Sequence, residues 1–576
     1  LTKIAVINGV PITSLQGGQP ARGTSAVFSG SPRFTNPDLA ATAANRGIEV
    51  AWRELIARHG QEGLQDVQGT FSVGVQNEDG SVFLAVDRFA VHSMCFRITD
   101  GKLCFAERAD RLSDASSEID PQAIFDYLYF HVIPSPRTIF RGVYRLPPGH
   151  CALFRDGKLT ISAYWMPRFV EPRGADFGTL RDQFLECLGT AVAAQLGSGR
   201  TGCFLSGGTD SSTVAGMVGK VTGAPASTFS IGFDAAGYDE MEFSRIAARH
   251  FGTDHHEYYI IPEDLIRSVP EVAASFDQPF GNSSVLPAFY CAKVARDAGI
   301  DRILGGDGGD ELFGGNTRYA KQRIFGLYDH VPAPIRDGLL QPLLTGNPLA
   351  SRIPGVRKAA SYVSQAKVPM PDRMQSYNLL VRLGLDDVLT PAFLASVDPL
   401  EPGLHQRDVY GQCKADSLVN RMLAFDWRYT LAEIDLPKVV GATSLAGIPV
   451  GFPLLDDRLV DFSLRLPASY KVKGLRLRWF FKEALRGFLP DEIITKKKQG
   501  FGLPFGVWTA RHPGLYKLAE DSVRQLADRG VLRVAFVDAL MKQRLHEHPG
   551  YYGEMIWISM MLEQWLRVHA PDFKVG

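Results

Sequence analysis

Phe204-Leu205-Ser206-Gly207-Gly208-Thr209-Asp210-Ser211-Ser212 is the stretch that decides how this chain folds. Ahead of it, Gly202-Cys203-Phe204-Leu205 is an apolar run with the length of a buried parallel strand; behind it, Val214, Met217, Val218 and Val221 recur at helical spacing. The stretch predicts strand, tight turn and helix in succession. Two glycines let the backbone come close to a ligand, and Ser211-Ser212 places N–H groups and hydroxyls at the positive end of the helix. That arrangement binds a phosphate-type anion. A glycine turn with a capping Asp and no ligand is the bland alternative, and it leaves most of these fixed positions without a reason.

The nucleotide loop of kinases and GTPases is excluded, because G-x-x-x-x-G-K-S/T is absent and no Lys follows the glycines. The S-G-G-x-D-S pattern resembles the pyrophosphate loop of the N-type ATP pyrophosphatases, which split ATP into AMP and pyrophosphate while activating a carboxyl or carbonyl oxygen. The resemblance implies that Leu205, Ser206, Gly207, Gly208, Asp210, Ser211 and Ser212 hold ATP.

With 576 residues the chain is too long for one core, so two or more domains are expected. Its formal net charge of zero gives no reason to expect nucleic acid or an anionic membrane as a partner. Seven cysteines stand apart with no C-x-x-C pair, which argues against a disulfide framework or a zinc site and for a reducing cytoplasm. The absence of a run of about eighteen apolar residues, and of a basic flank leading into an apolar start, points the same way. A cytoplasmic protein is expected.

From Leu1 to about residue 165 short strands alternate with turns. Gly69 to Val75 and Ser81 to Val86 flank a turn at Asn77-Glu-Asp-Gly80, and Met94 to Ile98 and Leu103 to Ala106 flank Thr99-Asp-Gly101, both read as hairpins. Ala40 to Gly60 carries one amphipathic helix. Met166 to Thr179, containing Pro and Gly, reads as an interdomain linker, followed by a helix from Leu180 to Leu196. Between 200 and 315 strands and helices alternate, which predicts a parallel sheet with its site at the strand carboxyl ends.

Set beside the opening loop, Arg88-Phe89, Phe105-Ala106-Glu107, Ile119-Asp120 and Thr138-Ile-Phe-Arg-Gly-Val-Tyr-Arg-Leu-Pro-Pro-Gly-His150 make the chain resemble the asparagine synthetase family over nearly its whole length. The resemblance implies an N-terminal class II glutaminase-like domain (1–165) of antiparallel sheet, a linker (166–179) and a parallel-sheet ATP pyrophosphatase, or synthetase, domain with helical extensions (180–576). The fold class is α/β and α+β. In the family a Cys after the initiator Met is the glutaminase nucleophile, with its own amine as base. Thr2 stands at that position, and the family's R-L-S-I-x-D strand and N-G-E-I-Y-N turn have no match between Val6 and Ala40. The first domain is therefore read as a retained structural unit.

Gly305-Gly306-Asp307-Gly308-Gly309-Asp310 packs glycines around carboxylates that suit a hard cation. By the resemblance Asp210 and Asp310 are the Mg2+ ligands, Gly306 belongs to the cradle, and Ile231-Gly232 in Ser230-Ile-Gly-Phe233 reads the adenine edge. Asp307 falls where asparagine synthetases carry Glu and β-lactam synthetases Tyr; it is expected to take the proton of an attacking amine, with the binding of a metal-bound water as the alternative role. Glu433, with Asp435 as the alternative, is expected as a second catalytic carboxylate. Lys498, in Lys-Gln-Gly-Phe501, matches the family's K-x-G-F loop and is expected to reach the reacting phosphate. Adjacent residues rarely chelate one ion together, so His255-His256 in a helix-to-strand connection, like His546-Glu-His548, reads as structural.

Val440-Gly441 stands where the family has D-R, and Pro449 and Gly451 where it has Glu and Arg, which argues against aspartate as the substrate. The expected reaction is Mg-ATP-dependent adenylation of a peptide or small-molecule carboxylate followed by amide formation. Family members without a working glutaminase include lasso peptide cyclases and β-lactam synthetases; the Asp at 307 favours macrolactam closure of a precursor peptide, with a precursor-processing protease as a partner. β-Lactam synthetase-like ring closure, asparagine synthetase-like amidation of a small carboxylate with free ammonia, and a non-catalytic nucleotide-binding scaffold are the competing readings.

Overall fold

The computed structural model describes residues 2–15, 25–114, 117–172, 174, 176–329, 331–336, 354–497 and 502–576. In the N-terminal part, Lys158–Ala163, His150–Arg155, Val82–Val86, Phe71–Gln76 and Ala26–Gly30 form one antiparallel sheet in that order, and Val143–Arg145, Cys95–Thr99 and Lys102–Ala106 a second. Strict alternation along Val82–Val86 explains the layering. Val82, Leu84 and Val86 point into the core shared with Phe96, Ile98 and Phe105 of the second sheet. Phe83 and Ala85 point the other way, onto Trp52 and Leu55. Both expected hairpins form.

The stretch from Ala40 to Gly60 differs from the expected single helix. It belongs to two, Pro37–Arg46 and Ile48–His59, broken at Gly47, whose φ of 97° no helix accommodates. The segment read as a linker is held down rather than free. Val170 N–H donates to the Leu464 carbonyl at 3.0 Å, and Glu171 accepts from Asn420 Nδ2 at 2.7 Å and from the Ala468 N–H at 3.2 Å. Its last residues already belong to the helix Phe177–Gln195, capped by Asp176.

In the second part the five strands lie in the order Asp254–Ile260, Ser227–Phe233, Thr201–Phe204, Arg302–Leu304, Val450–Gly451, all parallel. Thr201–Phe204, first in sequence, is central, so the chain winds outward in both directions from it. The crevice between its carboxyl end and that of Arg302–Leu304 is the topological switch point, where ligands bind in sheets of this kind. His255 and His256 lie inside the strand Asp254–Ile260 rather than in a connection. His255 Nδ1 lies 2.9 Å from Thr228 Oγ1, and the His256 ring stacks on Phe229 at 4.9 Å. Among the described residues no helix is long and apolar enough to cross a membrane.

Trp427 joins the two parts. Its ring, 2% exposed, stacks parallel on Trp165 at 6.2 Å, meets Phe89 at 5.8 Å and Phe169 at 5.7 Å, and its Nε1 donates to the Glu311 carbonyl at 2.9 Å. Trp427→Ala is expected to cost about 4 kcal/mol, a typical loss for a fully buried aromatic. Because residues of both parts meet on this one ring, calorimetry should show the unfolding transition of the variant split in two.

Candidate active site

The loop that opens the reading sits at the switch point. Leu205 N–H donates to the Phe229 carbonyl at 2.9 Å, which carries the strand pairing to the edge of the turn. Gly207 has φ of +67°, and a Cβ there would lie 2.5 Å from the backbone of Phe243 and Ser244, so only glycine passes. Ser211 Oγ accepts from the Ser206 N–H at 3.1 Å and fixes the loop's width. Gly208 then starts the helix Thr209–Thr222 with no side-chain cap, leaving the first N–H groups of the helix directed at the cavity.

That cavity measures about 1140 Å³. Leu205, Ser206, Gly208, Asp210, Ser211, Ile231, Gly306, Asp307 and Asp310, all expected in the site, line it. Gly306 earns its place by contact: a Cβ there would meet the Ser211 backbone nitrogen at 2.7 Å, so the two glycine loops could not close on each other with any other residue.

Four expectations are corrected, and a fifth lies outside the described residues. Gly207 lies behind the loop against Phe243, Ser212 is fully buried beneath it, and Gly232 faces the ring of Tyr259, where a Cβ would come within 2.6 Å; none of the three lines the cavity. Glu433 does not reach it either. Its carboxylate pairs with Arg145 of the N-terminal part at 2.5 Å and accepts from Ser135 Oγ at 2.5 Å. Trp427–Asp435 winds as a π-helix, whose wider turn changes which side chains share a face. Thr430 and Asp435 face the cavity instead, so Asp435, the alternative, is the carboxylate this segment contributes. Lys498 lies outside the described residues; Lys496 and Lys497 line the cavity.

In the cavity Lys438 Nζ sits 2.9 Å from Asp435 Oδ1. Burial by itself would lower the Lys438 ammonium, but Asp435 and then Asp307 outweigh it and raise it. Burial also lifts Asp307 from 3.8 to about 6, with Lys438 holding it back from going higher. Glu311 is buried and pushed well up by that burial and by Asp310. Lys496, also lining the cavity, pairs with Glu240 at 3.3 Å and lies over the Phe243 ring, its burial lowering the ammonium.

The cavity is also lined by a residue the sequence did not single out. Arg478 places Nη2 on Asp210 and Nη1 on Asp310 at 2.8 Å, so the carboxylates from two different strand ends converge on one cation. The sequence signal, an Arg in Arg476-Leu-Arg478, is too common to find it by.

The family model for asparagine synthase matches residues 183–567, two thirds of the chain. The chain belongs to the asparagine synthase family. A second model, for a glutamine amidotransferase domain, matches residues 47–165. Curated relatives in the asparagine synthase family include asparagine synthetase (glutamine-hydrolyzing) 1 of Bacillus subtilis, 25% identical over 457 residues, covering 78% of this chain and 70% of the relative. Asparagine synthetase (glutamine-hydrolyzing) 3 of the same organism is 23% identical over 544 residues, 89% of this chain and 78% of the relative. Amidase chry2 of Gibberella zeae is 22% identical over 505 residues, 79% and 72%. As an asparagine synthase family protein the chain is an amide ligase that uses ATP.

Proposed function

We propose that the protein adenylates a carboxylate and passes the acyl group to an amine carried by the substrate itself, closing a macrolactam on a precursor peptide. The observation that carries the first half is the convergence of Asp210 and Asp310 on one cation beside an uncapped helix N-terminus. A seat in which two carboxylates already share a positive group fits Mg2+, and Asp210 and Asp310 would hold it. Bound there, the metal would neutralise the polyphosphate and the departing pyrophosphate.

The chain's own residues supply the rest. N–H groups of the Gly208–Asp210 turn receive phosphate oxygens, and Ile231 packs beside the base. The substrate carboxylate attacks the α-phosphorus and pyrophosphate leaves. Asp307, ionised above about pH 6, accepts the proton of the incoming amine as AMP departs, and Lys438 keeps Asp307 and Asp435 from repelling each other. Lys498 is assigned to the reacting phosphate by its motif alone.

Two features support an amine from the substrate rather than from glutamine. The match to the amidotransferase model takes up only at residue 47, past the stretch between Val6 and Ala40 where the family's R-L-S-I-x-D strand and N-G-E-I-Y-N turn find no counterpart. Gly441, where the family has Arg, packs on the Phe276 ring so closely that a Cβ would come within 2.4 Å, so the family's acceptor contact has no room. A protease that trims the precursor is the partner this reading calls for.

Pyrophosphate release tests the proposal. With Mg-ATP and a peptide bearing both a free N-terminal amine and an Asp or Glu side chain, AMP, pyrophosphate and a peptide lighter by one water are expected, with no glutamate formed when glutamine is added. Release that depends on ammonium would replace ring closure by simple amidation; no release with any carboxylate would refute adenylation.

A further inference from the structure

A second cavity, of about 470 Å³, lies where the N-terminal part meets the parallel-sheet part. His92, Glu107 and Arg145 line it from one side, and Asp277, Glu433 and Gly441 from the other. No described residue before Ala90 lines it, so the stretch in which the family's R-L-S-I-x-D strand and N-G-E-I-Y-N turn would fall takes no part in it. It is also separate from the nucleotide cavity, with which it shares no lining residue. The helix Leu436–Ala446 stands between the two. Pro437, Val440, Gly441 and Ser444 form a stripe at helical spacing toward the second cavity, while Lys438 and Val439 face the first.

Its charged groups are only half used. Arg145 spends Nη2 on the Ile133 carbonyl at 2.9 Å and on Glu433 at 2.5 Å; among the described residues its Nε and Nη1 make no hydrogen bond, and neither is sealed from solvent. Asp277 accepts at Oδ2 from the Ala109 N–H at 2.9 Å, which leaves Oδ1 open. Glu107 accepts at Oε1 from Ser29 Oγ, which leaves Oε2 open. Arg108, by contrast, is committed to Asp110 and to the Ser275 carbonyl. The open donors and acceptors are neighbours: burial lifts the Cys95 thiol, Asp277 lifts it further and Arg145 holds it back, so both charges act on one spot. Unmet groups of both signs side by side are the complement of a zwitterion, since a guanidinium fork pairs with a carboxylate and carboxylate oxygens pair with an ammonium. Leu146, Phe276, Val440 and Leu445 supply an apolar wall, and a concave apolar wall with a few convergent polar groups is how small-molecule sites are built.

We propose that this cavity is a second ligand site, which takes a free α-amino acid with an apolar side chain: Arg145 receives the carboxylate, and Asp277 and Glu107 receive the ammonium. Equilibrium dialysis of the full chain against radiolabelled L-leucine tests this. The native protein is expected to take up one L-leucine per chain. L-leucinamide, which lacks the carboxylate, and 4-methylpentanoate, which lacks the ammonium, should each compete at least about tenfold more weakly than unlabelled L-leucine. Asp277→Asn can still accept from the Ala109 N–H and should weaken uptake by about tenfold. Ser444→Phe, at an exposed position on the cavity wall, should block uptake, and Asp310→Asn, in the nucleotide cavity, should leave it unchanged. No uptake of L-leucine by the native protein, or equal competition by either analogue, overturns the inference whether or not the variants fold. So does uptake that survives both Asp277→Asn and Ser444→Phe, and so does uptake abolished by Asp310→Asn, which would move the ligand to the nucleotide cavity.

Discussion

Asp310→Asn is expected to lower carboxylate-dependent exchange of pyrophosphate into ATP by about 10³-fold, with the loss in the rate rather than in substrate binding. Asp310 opens the short helix Gly309–Phe313 at the carboxyl end of the strand Arg302–Leu304, and Asp210 opens the helix at the end of the neighbouring strand. This pair brings two carboxylates onto the one guanidinium of Arg478 in the cavity. Asn keeps the size and removes the charge, and Arg478 retains Asp210 as a partner, so no cation is stranded. Near-native stability in urea denaturation should accompany the loss. Asp210→Asn should behave alike, and the double variant should be little worse than either single one, because the two act as a unit.

Asp307→Asn should separate the two half-reactions. Exchange of pyrophosphate is expected to persist, while amide formation falls by about 10²–10⁴-fold, the range of a lost general base. The same residue sets a pH dependence. Burial raises its carboxyl from 3.8 to about 6, so the form that can accept a proton is lost as pH falls through about 6. Native amide formation should therefore show an acid limb near pH 6 that exchange lacks, and the residual activity of Asp307→Asn should lack that limb too. An unaltered limb in the variant would assign it to another group.

How much of this could be read from residues alone follows from what periodicity and glycine encode. Gly202–Leu205 and the helix after it were legible because a parallel strand buried on both faces is apolar throughout, and Cys203, Leu205, Val214 and Met217 are indeed buried. The two acidic loops were legible because their glycines have no other use: Gly207 and Gly306 are places where a Cβ collides with backbone. The break at Gly47 was not, since the apolar spacing of Leu39, Ala51, Trp52 and Leu55 continues across it and the single glycine looks tolerable in a helix. Choosing between Glu433 and Asp435 was beyond the sequence for a sharper reason. Two residues apart in an α-helix they would have been sorted by a period of about 3.6, but the π-helical turn changes that period, and nothing in Trp427–Asp435 announces it. Arg478 escaped because its role depends on Asp210, 268 positions away.

The central claim is that a substrate carboxylate oxygen bonds to the α-phosphorus of ATP in the cradle of Asp210 and Asp310. Oxygen-18 placed in the carboxylate tests it most directly. One labelled oxygen is predicted in the phosphate of AMP at each turnover. Label recovered in inorganic phosphate alongside ADP, or AMP formed without label, would contradict the account.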